Sequence, residues 1–152
     1  MLQSVMKTKD SMVLTILRLV LGVVFFAHGL QKVGVIPGFG YAGYMGFFGS
    51  LGIPSVFGNL AIAAELLGGL GLIVGLLSRV AAAGIVVDMI VAVFLVHLPN
   101  GLFANWGQQL GPDGKTALGE GYEFHLLAIA MALAILIEGA GSLSADGAIA
   151  GK

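Results

Sequence analysis

The stretch ELLGGLGLIVGLLSRVAAAGIVVDMIVAVFLVHLP, Glu65–Pro99, decides the architecture. Its apolar run is broken near the middle only by Ser78 and Arg79, and a helix needs about 20 largely apolar residues to cross the hydrocarbon of a bilayer. Read with the residues before it, it gives two apolar segments, Val56 to Leu77 and Val80 to Leu98. With two residues between them, these segments can only form a tight antiparallel hairpin.

Working outward, Met12 to Val33 is long enough to cross on its own, and Tyr122 to Gly139 comes close. All four prolines, Pro37, Pro54, Pro99 and Pro112, fall between these four stretches, where a missing N–H and a fixed φ interrupt no helix. Composition agrees: of 152 residues, 58% are hydrophobic and 10% charged, whereas soluble domains carry about a quarter charged residues. The expected fold is all-α, a polytopic integral membrane protein forming one domain over 1–152, an antiparallel four-helix transmembrane bundle with spans at 12–33, 56–77, 80–98 and 122–139.

Lys7 and Lys9 precede the first span, but its apolar run is too long for a signal peptide's core and no A-x-A site follows, so it reads as a retained helix. An even number of spans puts both termini on one side with Lys7, Lys9, Arg79 and Lys152, against Lys32 and Lys115 on the other. The positive-inside rule then makes the termini cytoplasmic. Between spans one and two, Tyr41, Tyr44, Phe48 and Leu51 recur at helical spacing, which predicts an interfacial or re-entrant helix. The loop from Pro99 to Gly121 opens with Phe103 and Trp106, suited to headgroup level, then turns polar through Gln108, Gln109, Asp113 and Lys115. The last residues, Gly139 to Lys152, are small and read as a frayed end.

Three ionisable residues fall inside predicted spans: Arg18, Glu65 and Asp88. Each would cost at least about 2.5 kcal/mol facing lipid alone. Gly22, Phe25, Gly29 and Lys32 share a stripe with Arg18, and Ala61, Gly68, Gly69 and Leu72 share one with Glu65, so these charges point into the bundle. Depth, counted at 1.5 Å per residue from the cytoplasmic ends, makes Arg18 and Asp88 the closer pair and puts Glu65 about two turns farther out. The trio carries a net charge of −1, which favours a carboxylate that keeps or exchanges a proton, and Glu65 is the candidate. The alternative is that the network only fixes helix packing. A second group, His28, Lys32, His97, Glu123 and His125, reaches the opposite surface. It shows no metal-motif spacing, so no metal is expected; Glu123 and His125 diverge by 200° on one helix, and His97 lies opposite Asp88. Gly71 and Gly75 form a GxxxG pair suited to packing within the bundle or to dimerisation.

Several classes are excluded. Without cysteine there is no disulfide, thiol relay or thiolate metal site. The basic residues are scattered, which argues against nucleic acid. No Walker loop, Rossmann fingerprint, GxSxG elbow or HExxH occurs.

RLVLGVVFFAHGLQKV in span one, LGIP before span two, ELLGGLGLIVGLLSR through the hairpin and EFHLLAIAMALAILIEGAGSLSAD at the end together resemble the DoxX-like family of small four-span membrane proteins. The resemblance runs from Arg18 to Asp146. It implies association with membrane oxidoreductase assemblies, including thiosulfate and quinone chemistry, and supplies no catalytic residue set. The expected function is an accessory subunit that docks a soluble oxidoreductase partner and lends it a quinone or proton pocket lined by Arg18, Glu65 and Asp88, rather than a self-sufficient enzyme. The alternatives are a small proton-coupled permease working as a homo-oligomer, and a non-catalytic membrane assembly factor.

Overall fold

The computed structural model describes residues 5–105, 110, 111, 113 and 118–150. Trp106, Gln108, Gln109, Pro112, Lys115 and Lys152, which bear on the loop, the span boundaries and the membrane orientation, lie outside the described residues. The regular elements are helices: α1 (Met12–Val33), α2 (Gly40–Ser50), α3 (Ser55–Val74), α4 (Ser78–Ala92), α5 (Glu123–Glu138) and α6 (Ala145–Ala150). A π turn, Val93–His97, and a 3-10 turn, Leu98–Asn100, extend α4.

α1 covers the predicted first span residue for residue. It starts where the Ser11 hydroxyl accepts from Leu14 N at 3.4 Å and ends at Gly34, which takes the left-handed conformation that closes a helix. α3 packs most extensively on α1, through glycines that let the backbones meet. A Cβ at Gly22 would stand 2.8 Å from Ile73 N, and one at Gly29 would stand 2.7 Å from Leu66 Cα. α5 packs on α4 and α1, closing four helices around Leu21, Phe25, Leu72, Ala82, Ile85, Met89, Ala128, Ala132 and Ile135. Most of the large side chains facing away from this core are apolar and exposed, as on a protein whose solvent is lipid.

Among the described residues, three helices are long and apolar enough to cross a membrane: Met12–Val33, Ser55–Val74 and Ser78–Asn100. α5, at 16 residues, rises about 24 Å and falls short of the hydrocarbon thickness. The predicted turn at Ser78 and Arg79 moves three residues upstream, to Gly75, Leu76 and Leu77, and the two polar residues open α4. Gly75 at φ 75° and Leu77 at φ 51° make the reversal, so the second residue of the GxxxG pair serves the turn itself. α2 is a helix as its spacing predicts, with Tyr44, Met45 and Phe48 half-buried and Tyr41 and Leu51 left exposed.

The end after Gly139 is not frayed. Gly141 N donates to Thr8 Oγ1 at 2.7 Å, Ser142 N donates to Ser11 O at 3.2 Å, and Asp146 N donates to Gly75 O at 2.8 Å. The segment thus folds back under the bundle as a strap that joins the start of the chain to the α3–α4 turn.

Candidate functional site

The intramembrane charges separate into two clusters at opposite ends of the bundle. At the strap end, Arg18 is 1% exposed and donates to backbone: Nε to Ala140 O at 2.9 Å, Nη1 to Leu72 O and to Ile73 O at 2.9 Å, and Nη2 to Leu143 O at 2.5 Å. Helix C-termini leave carbonyls without intrahelical donors, and a guanidinium in that position satisfies several at once. Arg79 does the same for α5, bonding Leu136 O and Ile137 O, the latter at 2.8 Å. Asp146, 2% exposed, accepts Leu77 N at 2.7 Å and Ser78 N at 2.8 Å, so it occupies the positive N-terminus of α4 within electrostatic reach of Arg18.

The predicted Arg18–Asp88 pair does not form. Arg18 lies level with the α3–α4 turn, where a Cβ on Gly75 would come within 3.0 Å of its Cζ. Asp88 is ten residues beyond Ser78, about 15 Å along α4. α4 starts at Ser78, two residues before the expected span, and the strap supplies Arg18's partners, so equal depth from the helix ends does not pair the two residues.

At the other end Glu65, 3% exposed, pairs with Lys32 through Oε1. Lys32 also stands over the Tyr44 ring, 4.6 Å from its centroid. Asp88 lies within electrostatic reach of Glu65 and Lys32. One oxygen of each acid, Glu65 Oε2 and Asp88 Oδ2, is buried with no hydrogen-bond partner. Burial first, then the negative Glu65 and Asp88, raises the Tyr44 phenol above its ordinary range and keeps it neutral. Four elements therefore meet here: α1 gives Lys32, α2 Tyr44, α3 Glu65 and α4 Asp88. Lys32, which the sequence groups with the histidines, pairs with Glu65 instead. The contact of Gly29 on Leu66 is what sets the register that brings it down to Glu65.

The predicted outer group divides. His97 and His125 rings lie 4.0 Å apart between centroids, and Phe124 links His125 to His28 with ring separations of 5.5 and 6.1 Å. His97 Nδ1 is 2.7 Å from Glu120 O. On a regular helix His97 would face away from Asp88, but the π turn at Val93–His97 adds a residue to the turn and swings it toward α5. Glu123 leaves the group: its Oε1 accepts Ala104 N at 2.9 Å and ties down the loop. Among the described residues no group of three or more His, Cys, Asp or Glu is arranged to hold a metal ion.

An all-helical membrane protein with paired internal charges and a glycine-packed hairpin is the class this geometry defines, and the DoxX family model matches residues 13–98. The chain belongs to the DoxX family. It is 34% identical over 90 residues to the protein named "Putative oxidoreductase CatD" of Bacillus subtilis (strain 168), covering 59% of this chain and 63% of that one. It is 36% identical over 86 residues to "Uncharacterized membrane protein Rv3486" of Mycobacterium tuberculosis, covering 54% and 49%. The matches thus span less than two thirds of either relative. No solved structure matches significantly.

Proposed function

We propose that this protein is an inner-membrane subunit that handles protons for a membrane-associated oxidoreductase, and that Lys32, Tyr44, Glu65 and Asp88 form the working site. The observation that carries this reading is the pair of buried carboxylate oxygens without partners, Glu65 Oε2 and Asp88 Oδ2, beside a single ammonium. Buried polar atoms are nearly always paired, so two orphans in one cluster point to an exchangeable occupant, and a proton is the smallest. The name of the Bacillus relative supports an oxidoreductase setting.

Quinone is the redox carrier the cluster suits: its carbonyls accept hydrogen bonds, and Lys32 and Tyr44 are the nearby donors. When bound, it would supply the electron-accepting chemistry that the residues themselves lack. Arg18 takes a positioning role here, since its guanidinium is committed to backbone carbonyls. In this reading α5 completes a fourth crossing with help from its flanking turns, α2 lies in the interface, and the end with Lys7, Lys9 and Arg79 faces the cytoplasm.

Mass spectrometry on gently solubilised protein tests the proposal, scored for bound quinone and for a copurifying oxidoreductase. The expected result is one or the other at near-stoichiometric yield, with partner activity lowered at least tenfold in Glu65→Gln while thermal stability is retained. Wild-type partner activity in that variant would sink the reading.

A further inference from the structure

We infer that Glu65 and Asp88 hold one proton between them and exchange it with only one side of the membrane, the side on which α2 lies. This deepens the reading above and rests on it. The charged and titratable groups facing the pair are Lys32 from α1, Tyr44 from α2 and the two acids themselves from α3 and α4, while α5 offers only His125, packed against His97 at the same end. With Tyr44 neutral, the two carboxylates and one ammonium sum to −1. An uncompensated charge in a buried site is costly, and a single added proton removes it.

The direction of exchange follows from what lies above and below. Toward α2, the Lys32 side chain is 20% exposed and Tyr44 is half-buried beside an exposed helix face, which leaves the ammonium open on that side. Toward the strap, the helices close on Phe25, Leu21, Leu72, Ile85, Ala132 and Ile135, each at most 3% exposed. Seven residues separate Glu65 from Leu72, as they do Arg18 from Phe25, which makes this layer about 10 Å deep. Interiors packed to crystal density hold no water without polar partners, and among the described residues none stands in this layer. The next polar group is Arg18, whose Nε, Nη1 and Nη2 all donate to carbonyls. The site is therefore a half-channel, closed at its deep end by apolar packing. Such a site can feed or drain protons at one interface and cannot carry them across.

The test uses the full chain in phosphatidylcholine vesicles, with orientation fixed by impermeant maleimide labelling of Ser50→Cys, the chain having no cysteine of its own. Infrared difference spectra are recorded after a pH step on one side at a time, and carboxyl-labelled aspartate or glutamate tells which residue type responds. The expected result is loss of one protonated-carboxyl signal per chain when the α2 side is made alkaline, no response from the other side, and no proton flux above that of empty vesicles. A response from the strap side, or measurable flux, overturns the one-sided site while leaving the proton site standing. No protonated-carboxyl signal at neutral pH overturns both this inference and the function proposed above. Asp88→Asn alone, at the less buried of the two acids, leaves one carboxylate beside one ammonium and should abolish the protonated-carboxyl signal, and a signal that persisted in this variant would overturn the shared proton.

Discussion

Removing the Asp146 carboxylate should loosen the end of the bundle opposite the proposed proton site. In Asp146→Ala the Leu77 and Ser78 N–H groups lose their acceptors, Ser78 being fully buried, and Arg18 loses its charge neighbour. An orphaned buried donor costs about 1–3 kcal/mol. The two donors are neighbours and their costs do not simply add, so the expected loss is about 3 kcal/mol. With an unfolding entropy near 2.1 cal/mol/K per residue, that corresponds to a Tm roughly 10 °C lower. The measurement is thermal unfolding by circular dichroism in a mild detergent, beside Asp146→Asn, which keeps one acceptor oxygen and should lose about 1–3 kcal/mol. Arg18→Met with Asp146→Leu should lose more than Asp146→Ala, because the carbonyls of Leu72, Ile73, Ala140 and Leu143 then lose their donor as well. If Asp146→Ala unfolds within about 0.5 kcal/mol of wild type, the strap contributes nothing and the residues after Gly139 are the frayed end their composition suggests.

Glycine substitutions should sort by backbone proximity. Gly29→Ala, whose Cβ would press on the Leu66 backbone, is expected to cost about 1–3 kcal/mol, while Gly49→Ala, with nothing within 4 Å, should change Tm by no more than a degree or two or raise it slightly. Equal effects at the two sites would contradict the α1–α3 contact. The Tyr44 phenol, held neutral above its ordinary range, should add stability that is fully present below its unfolded value near 10 and is lost as pH rises through the higher folded value. Chemical unfolding measured at alkaline pH should show this loss in wild type and a smaller one in Tyr44→Phe.

The hairpin, the first span and the α2 helix were legible because each rests on local information: apolar run length, proline placement and helical spacing. Composition likewise pointed to a bilayer as solvent, and the family agrees. The exact turn was not legible, since Ser78 and Arg79 are the polar residues but Gly75 and Leu77 adopt the left-handed backbone. Polarity marks where a chain tolerates water. The reversal is set by which residues accept positive φ and by where Asp146 offers its oxygens.

Pairing of the internal charges shows the same limit more sharply. Depth counted along each helix assumes that all spans start at one plane, and an error of a few residues, about 1.5 Å each, moves a charge past its partner. Arg18 found carbonyls instead of Asp88 because a helix C-terminus and a returning strap both offer unsatisfied oxygens at its level. Lys32 found Glu65 because the Gly29–Leu66 contact fixes the slide of α1 on α3. The glycines thus carry register information that charge patterns do not, and a count anchored on them would have brought Lys32 to Glu65 from the opposite end. His97 lay beyond any such count, since a π turn alters helical phase without a signature in the residues themselves. What the corrected register leaves is a division of labour along the bundle axis. Arginines and Asp146 hold the helix ends at the strap, and the acids with unpaired oxygens gather where α2, the π turn and the histidines meet.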